Sequence, residues 1–172
     1  RQLGGVFNYG NSLYGGAVLE MLDPATGAQS WSCQLFDSVK VGSAVVSPDG
    51  MAYFAGSFMG QLVLCDGSVL GGEPNGGLWN ENLFLVAVDL NTGLLAWTRN
   101  LSLTYPDASM NTSLAVDPSG NLWYTIEEWG IGRVVRADAS GDDVETRIIN
   151  GVRLFGTISF DPWGGLYVSG SA

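Results

Sequence analysis

The segment from Val86 to Trp97 reads Val-Ala-Val-Asp-Leu-Asn-Thr-Gly-Leu-Leu-Ala-Trp, in which one apolar run enters a polar turn and a second run leaves it. Asp89 can accept hydrogen bonds from the turn's own backbone amides, and Gly93 supplies the left-handed backbone that closes such a turn. Trp97 follows on the outgoing run, where its large apolar surface can hold that strand against a neighbouring sheet. The segment therefore predicts a β-hairpin that carries its own docking residue.

The same arrangement occurs earlier in the chain as Asp23-Pro-Ala-Thr-Gly-Ala-Gln-Ser-Trp31. A third position, Asp138-Ala-Ser-Gly141, keeps the Asp and the Gly but has no Trp after it. We interpret the two complete copies as repeats of one structural unit, because four residues keep identical spacing in both. These repeat residues are Asp23, Thr26, Gly27, Trp31, Asp89, Thr92, Gly93 and Trp97.

The segment from Val86 to Trp97 resembles the repeat of β-propellers of the pyrroloquinoline-quinone (PQQ) type, and the segment from Leu19 to Trp31 resembles it more loosely. That repeat is shared by periplasmic quinoprotein dehydrogenases and by non-enzymatic propellers that bind proteins, so the resemblance implies a fold more strongly than a reaction. The implied fold class is all-β. It is an arc of four-stranded antiparallel blades, about three to four blades' worth, in an incomplete ring.

Three Pro-x-Gly turns, beginning at Pro48, Pro118 and Pro162, alternate with the Asp turns. Each lies between two short apolar runs, as expected for a hairpin. Pro118 and Pro162 are 44 residues apart, which is the usual period of a propeller blade. Pro48 and Pro118 are 70 residues apart, which is 26 more than 44. The alternation supplies the two turns that a four-stranded blade needs, one in each pair of strands.

These markers divide the chain into blade parts 1–37, 38–104, 105–151 and 152–172 of a single propeller portion. Three strands are expected in the first part, four in each of the next two and two in the last. If the two end parts shared one blade, the ring would hold three blades and one strand too many, whereas propellers have typically 4–8 blades. We therefore expect an arc that is completed by further segments or by other copies of the chain.

The surplus residues lie in 66–82, a segment that is rich in Gly and Asn and has no strand periodicity. We expect an inserted loop before a strand that begins at Leu83. Long loops in compact folds are often functional, and this one offers Glu73, Trp79 and Glu81 as contacts for a ligand. The alternative is a surface excursion whose tryptophan packs back on the sheet.

A second candidate binding loop is Glu127-Glu-Trp-Gly-Ile-Gly132, between two expected strands. The carboxylates of Glu127 and Glu128, beside Trp129, can take part in general acid chemistry or bind a cation, or they belong to a solvated connection. The acidic run from Asp138 to Glu145 lacks the order of ligands of an EF-hand, and we interpret it as an acidic turn. No residue is assigned a catalytic or metal-ligating role.

The composition suits low-charge β structure. The 172 residues include 25 Gly, and 14% are charged, against about a quarter in an average protein. The formal net charge of −10 would repel DNA or RNA, so we exclude nucleic acid as a partner. No unbroken apolar run of about 18 residues is present, and we expect no membrane span. The chain starts at Arg1 without an initiator Met, and processing or truncation before it is expected.

Cys33 and Cys65 are 32 residues apart, and the chain has no His, so we do not expect a zinc site. The two cysteines either form a disulfide, which would suit an oxidising compartment, or remain separate buried thiols. Asn100-Leu-Ser102 and Asn111-Thr-Ser113 match the N-glycosylation acceptor, at a frequency that chance also explains. These features favour an extracytoplasmic location, whether secreted, periplasmic or on the cell surface.

Three classes of function are compatible with the sequence. The first is a non-catalytic binding or structural module for protein or glycan partners, without a cofactor, because the absence of His excludes Ser-His-Asp and Cys-His chemistry. The second is an arc of a PQQ-dependent quinoprotein dehydrogenase, for which the resemblance implies PQQ with calcium. Its motif match is incomplete, since Cys33 and Cys65 are not adjacent and no calcium ligand is matched.

The third class is a propeller hydrolase or lyase that uses Glu127 and Glu128. Glycosidase chemistry needs two carboxyl groups facing one bond, whereas sequence neighbours on a strand point to opposite faces. We favour the binding module and leave the question of enzyme activity open.

Overall fold

The computed structural model describes residues 7–8, 16–23, 25–36, 38–71, 81–103, 108–109, 112–149 and 156–170. These residues are all-β, with antiparallel pairing and a single turn of 3-10 helix at Leu101–Leu103. The expected all-β class with four-stranded antiparallel sheets is confirmed. None of the described segments forms a helix with the length and apolar character that crossing a bilayer requires.

The N-terminal half contains two main sheets and a small side hairpin. The first nine strands are β1 (Phe7–Asn8), β2 (Ala17–Leu22), β3 (Gln29–Leu35), β4 (Val39–Val46), β5 (Met51–Phe58), β6 (Gln61–Val63), β7 (Val69–Gly71), β8 (Asn82–Asp89) and β9 (Leu94–Asn100). Sheet I has the order β1-β2-β3, and sheet II has the order β4-β5-β8-β9. The side hairpin pairs β6 with β7.

The C-terminal half repeats the pattern. Its strands are β10 (Ala108–Ser109), β11 (Leu114–Val116), β12 (Leu122–Glu128), β13 (Ile131–Ala137), β14 (Asp143–Ile149), β15 (Ile158–Phe160) and β16 (Leu166–Val168). In sheet III, β10 and β11 pair with successive parts of β12, which is followed by β13 and β14. Sheet IV has only the two strands β15 and β16 among the described residues. Each sheet lies inside one of the four segments that the sequence markers separate.

The side hairpin corrects the prediction of a strandless loop at 66–82. Val69–Gly71 is a strand, and the strand after the insertion begins at Asn82. Leu62 and Leu64, on and just after the first strand of the hairpin, are completely or almost completely buried in the core between sheets I and II. A three-residue strand is too short to show alternation, and Val69–Gly71 is held as a strand by its pairing with Gln61–Val63.

The hydrophobic core consists of layers between successive sheets. One layer joins sheets I and II and includes Leu19 and Phe54, and the next joins sheets II and III and includes Leu85 and Tyr124. A third, smaller layer joins sheets III and IV around Trp123. Sheets II and III are therefore covered on both faces, which explains the nearly unbroken apolar runs of their central strands. Each fully buried Leu or Phe contributes roughly 1.5–3 kcal/mol to stability.

Serine side chains link the first strands of neighbouring sheets. The amide of Leu114 donates a hydrogen bond of 3.1 Å to Oγ of Ser43, which connects sheet III to sheet II. The amide of Ile158 donates a hydrogen bond of 3.2 Å to Oγ of Ser113, which connects sheet IV to sheet III in the same manner. The repetition of this contact shows that successive sheets are stacked with the same relative placement.

Candidate functional site

The two tryptophans of the sequence repeat lie at the junctions between sheets. Nε1 of Trp31, on β3, donates a hydrogen bond of 2.7 Å to the carbonyl of Gly93 in the β8–β9 turn. Nε1 of Trp97, on β9, donates a hydrogen bond of 2.9 Å to the carbonyl of Ala139 in the β13–β14 turn. Sheets I and II are thus each fastened by an indole to the turn of the sheet that follows.

The glycines of these turns are needed for two separate reasons. Gly93 and Gly141 have φ of 72° and 89°, a left-handed conformation that residues with a Cβ rarely adopt. A Cβ on Gly93 would lie 2.6 Å from Cδ1 of Trp31, and a Cβ on Gly141 would lie 2.8 Å from Cδ2 of Trp97. At Gly27 the φ is 70°, but no atom of the described residues lies within 4 Å of the position that a Cβ would take. The turn of sheet I is therefore the uncovered member of the series.

The aspartates that begin the turns hold them in shape. Oδ1 of Asp23 accepts hydrogen bonds from the amides of Ala25 and Thr26, both at 2.9 Å, and Oδ1 of Asp138 accepts one from Ser140 at 2.9 Å. The amide of Thr26 holds the pKa of Asp23 below the ordinary value, and the hydroxyl of Ser140, which also donates to Oδ1, does the same for the pKa of Asp138. The acidic run that begins at Asp138 is a turn, and the chain continues as strand from Asp143.

Cys33 and Cys65 form a disulfide, with their Cα atoms 5.1 Å apart. Cys33 lies on β3 of sheet I, and Cys65 follows β6 of the side hairpin. A bridge between Phe36 and Val63 joins the same two regions. The insertion emerges from sheet II, and the disulfide therefore attaches it covalently to sheet I.

A polar contact supports the junction between sheets II and III. Arg99, on β9, forms an ion pair of 2.5 Å with Oδ1 of Asp143 and donates to the carbonyl of Gly141. The hydroxyl of Tyr124 donates to the same carboxylate. Burial lowers the pKa of Arg99, but the hydrogen bond that Arg99 donates to Asp143 and the neighbouring charges outweigh it and raise the pKa above the ordinary value. Arg99, on the outer strand of sheet II, thus binds the turn region of sheet III.

A cleft of about 380 Å³ lies between sheet III and sheet IV, and we call it the aromatic cleft. Its walls include Trp123, Phe160 and Trp163, and the rings of Trp123 and Phe160 are 5.6 Å apart. Trp163 is 90% exposed, on the tip of the Pro-x-Gly turn. The guanidinium of Arg147 lies 5.2 Å from the ring of Trp123, and its side chain is 58% exposed. The cleft thus brings aromatic rings and a cation together.

Asp117 adds an acidic group to the cleft, but its oxygens already have donors. Oδ2 accepts hydrogen bonds from Nε1 of Trp123 at 3.0 Å and from Nδ2 of Asn121 at 2.8 Å. Burial raises the pKa of Asp117, but these side-chain bonds and the backbone amides of the turn outweigh it and hold the pKa below the ordinary value. The carboxylate therefore fixes the orientation of the indole and is not poised to transfer a proton near neutral pH.

The outer edge of β16 borders this cleft. Among the described residues, β16 pairs with β15 alone, whereas β5 and β12, which follow the other Pro-x-Gly turns, pair on both sides. An edge strand presents unpaired amide and carbonyl groups that can pair with another strand. The cleft and this edge together place aromatic side chains and unpaired backbone groups side by side at sheet IV.

The second candidate binding loop is corrected by the structure. Glu127 and Glu128 belong to β12, and the connection is the tight turn at Trp129 and Gly130. Glu127 is buried, and Glu128 forms an ion pair of 3.1 Å with Arg133. Because neighbours on a strand face opposite ways, these two carboxylates do not converge on one bond.

Trp129 and Glu81 lie on the surface. Trp129 is 77% exposed and has φ of 54°, which is uncommon for a residue other than glycine. Glu81 is exposed just before β8, while Glu73 and Trp79 lie outside the described residues. The residues of the two loops that are described do not join the aromatic cleft.

Asn100 does not present its side chain for glycosylation in this fold. It is 8% exposed, and its Nδ2 donates a hydrogen bond of 2.6 Å to the carbonyl of Gly71 in the side hairpin. Its Oδ1 accepts a hydrogen bond of 3.0 Å from the amide of Ser102. The motif Asn100-Leu-Ser102 therefore has an internal structural role. Asn111 lies outside the described residues.

Sequence reasoning missed the residues of the aromatic cleft. Trp163 is the middle residue of the third Pro-x-Gly turn, and a tryptophan at a hairpin tip has no room to be buried by its own strands. Arg99 stands two residues after Trp97. Arg147 stands two residues after the equivalent position of the third repeat, and this shared offset is the sequence signal that could have identified Arg147. In the part of the chain that the structure describes, no three acidic or cysteine side chains come together as a metal site.

No protein-family model matches the chain, and no curated protein matches it. Among solved structures it is similar to a luciferin-regenerating enzyme, with 16% sequence identity and a TM-score of 0.35. The alignment covers 92% of this chain, and the chain spans 64% of the length of that structure. At this level of similarity the match carries no functional argument.

Proposed function

We propose that the chain is an arc of a β-propeller of the PQQ-repeat type that serves as a non-catalytic binding or assembly module in an extracytoplasmic compartment. Its sheets are the blades of this arc. The proposal is supported by the indole contacts of Trp31 and Trp97, which repeat the same junction between successive sheets. A stack built from one repeated junction is rigid and extends in one direction, as in other repeat proteins.

The observation that carries the binding role is the aromatic cleft beside the edge of β16. Exposed tryptophan and arginine are the side chains most enriched at the energetic centres of protein interfaces. Aromatic faces also stack on sugar rings, so a glycan is the second kind of partner for Trp163. The disulfide between Cys33 and Cys65 supports the extracytoplasmic compartment, where such bonds persist.

The proposal is tested by measuring quinone chemistry and binding side by side. The full chain is mixed with PQQ and calcium, passed over a desalting column and assayed for retained quinone absorbance and for dye reduction with primary alcohols. We expect no retained quinone and no turnover. Stoichiometric quinone with alcohol oxidation would contradict the proposal in favour of a quinoprotein dehydrogenase.

Binding is measured by titrating a panel of neutral and acidic oligosaccharides, followed by tryptophan fluorescence, and by sedimentation for self-association. Trp163→Ala is the test variant, and Trp129→Ala is the matched control, because Trp129 is also exposed but lies away from the cleft. We expect Trp163→Ala to lower the affinity for the partner at least tenfold and Trp129→Ala to leave it unchanged. A chain that binds no saccharide and does not associate contradicts the binding role.

A further inference from the structure

We propose that two copies of this chain pair through β14, edge to edge and antiparallel, in a symmetric dimer centred on Thr146. The strand Asp143–Ile149 is outermost in sheet III and, among the described residues, pairs with β13 alone. An edge strand presents amide and carbonyl groups that can pair with another strand. The inference goes beyond the proposed function and does not need the propeller assignment, because it requires only the place of β14 in its sheet.

The two ends of the connection that follows β14 lie on opposite sides of sheet III. Ile158, the first residue of β15, donates its amide to Oγ of Ser113, beside β11 at the far side of the sheet. The connection 150–157 must therefore cross three strand spacings, about 14 Å at the usual separation of about 4.8 Å. Each residue spans at most about 3.6 Å, so this crossing leaves too little chain for a further strand along β14.

The backbone groups in the middle of β14 point toward the outer edge. Just after β13, the amide and the carbonyl of Asp138 both bond within the β13–β14 turn. Because these directions alternate along a strand, the groups of Val134 also point to β14, and its register partner Arg147 points back to β13. Thr146 and Ile148, on either side of Arg147, therefore direct their amides and carbonyls outward. These are the groups that would bond to a second β14.

The charges of β14 are complementary to themselves in an antiparallel pair. Glu145 and Arg147 lie on one face of the strand, where Nε of Arg147 donates a hydrogen bond of 2.8 Å to Oε1 of Glu145. Pairing centred on Thr146 places Glu145 of each copy opposite Arg147 of the other. A centre one residue away would oppose Glu145 with Glu145 or Arg147 with Arg147, and like charges directly opposite are destabilising. The charges therefore select one register.

The same register brings exposed aliphatic side chains together. Val144 is 49% exposed and Ile148 is 54% exposed, and each stands opposite the other across the twofold axis. Val144 has no register partner on β13, because the pairing passes from Asp143 to Glu145. At the axis the two copies of Thr146 meet, a pair that can form a hydrogen bond across strands. The contact thus removes apolar surface from water and joins polar groups to partners.

A surplus of cations on the charged face favours a second carboxylate. Glu145 is shared by two arginines, with Nε of Arg136 at 3.2 Å and Nε of Arg147 at 2.8 Å from its oxygens. The side chain of Arg147 is 58% exposed, so it can reach a further acceptor. A second copy supplies that acceptor in its own Glu145. Charges of alternating sign then surround the twofold axis, and the interface is isologous.

The other described outer strands lack this complementarity. β3, in sheet I, carries no charged residue, and its exposed side chains include Ser32 and Gln34. On β9, in sheet II, the charged residue is Arg99, which is already paired with Asp143. Self-pairing of β3 or β9 would therefore form no ion pair between copies. We accordingly assign the contact to β14.

The test uses sedimentation velocity on the chain from about 10 to 200 µM. The buffer holds about 0.15 M salt, where repulsion between copies of formal charge −10 is largely screened. We expect the mass to rise with concentration from 18.2 kDa toward twice that value. Hydrogen exchange over the same range should show growing protection of the Thr146 and Ile148 amides, with β3 unchanged. A chain that stays monomeric at about 200 µM overturns the proposal.

Charge variants test the register. Glu145→Arg and Arg147→Glu each oppose like charges on both sides of the axis, and each is expected to raise the dissociation constant at least tenfold. Glu145→Arg also reduces the formal net charge of −10 by two units, so general repulsion alone would predict a tighter dimer. An equimolar mixture of the two variants restores opposite charges at both positions and is expected to form a heterodimer.

Lys40→Glu is the matched control, because Lys40 is exposed on β4 and its reversal changes the net charge as Arg147→Glu does. We expect it to leave the dissociation constant within about twofold of the parent. Single variants at Glu145 and Arg147 that dimerise as tightly as the parent contradict the β14 contact. A mixture of the two that stays monomeric contradicts it as well.

A backbone variant does not depend on charge. Thr146→Pro removes an amide that points to the outer edge and leaves the β13–β14 hydrogen bonds in place, so we expect a folded monomer by circular dichroism. If self-association survives in Thr146→Pro but is lost in Trp163→Ala, the contact lies at the aromatic cleft, the β14 dimer is wrong and the proposed function stands. Quinone-dependent turnover would contradict the proposed function and leave the β14 dimer unaffected.

Discussion

The indole of Trp97 lies against Gly141 in the turn of the next sheet, and its Nε1 donates a hydrogen bond of 2.9 Å to the carbonyl of Ala139. Trp31 makes the corresponding contact with Gly93 one sheet earlier. The hydrogen bonds end on different residues of the two turns, while the indole covers the equivalent glycine in both. Coverage of the glycine is therefore the constant element of the junction, and the hydrogen bond adapts to the local shape of the turn.

Trp97→Ala is expected to cost about 3–5 kcal/mol of unfolding free energy, as truncation of a large aromatic residue at a packed site typically does. The loss is expected to loosen the contact between sheets II and III while the Asp89 turn stays closed, because that turn is held within its own sheet. Urea denaturation measures the cost, and hydrogen exchange at Gly141 and Gly93 locates it. A variant as stable as the parent but impaired in binding would mean that Trp97 is a ligand platform.

Gly93→Ala and Gly27→Ala form a matched pair. Both glycines are left-handed, with φ of 72° and 70°, so each substitution carries the backbone penalty of about 1–2 kcal/mol. Only at Gly93 would the new methyl group meet a neighbour, Trp31, at 2.6 Å. We expect Gly93→Ala to be the more destabilising by at least about 1 kcal/mol, as overpacking usually is. Equal denaturation midpoints for the two variants would contradict the role of the indole.

Reduction of the Cys33–Cys65 bond, or replacement of both cysteines by Ser, is expected to lower stability by about 3–4 kcal/mol. This value follows from the loop entropy released by a separation of 32 residues. The loss is expected first at the side hairpin, whose Leu62 is buried through this attachment. Denaturant titration with and without dithiothreitol measures the effect. Identical midpoints would show that the hairpin holds without the bond.

Stability is expected to fall in acid through Asp117 and the turn aspartates. The folded-state pKa of Asp117 is lowered, so its contribution is fully present above the unfolded pKa of about 3.9 and is lost as the pH falls through the lower folded value. Asp117→Asn should lose about 1 kcal/mol at pH 7, because its amide would point a donor at Nε1 of Trp123. It should also weaken the dependence on pH below about 4. An unchanged acid transition in this variant would contradict the assignment.

The repeat residues identified the hairpins and their order because each turn is local. Asp89 and Gly93 shape a turn through contacts within five residues, and such contacts leave a spacing that the sequence displays directly. The all-β class followed from the alternation of two kinds of turn. The positions of Trp31 and Trp97 at sheet junctions were also expected, since a tryptophan at a fixed offset from a turn must be buried by something outside its own hairpin.

Tertiary structure alone decided the side hairpin, the internal role of Asn100 and the aromatic cleft. Each depends on residues far apart in the chain: Asn100 donates to Gly71, and Arg147 lies over Trp123. Pairing at such distances depends on how whole sheets stack, and no local spacing encodes it. The sequence by itself therefore determined the repeated hairpins, because their stabilising contacts are short-range. The stacking of the sheets decided the cleft and the edge that we propose as a binding surface.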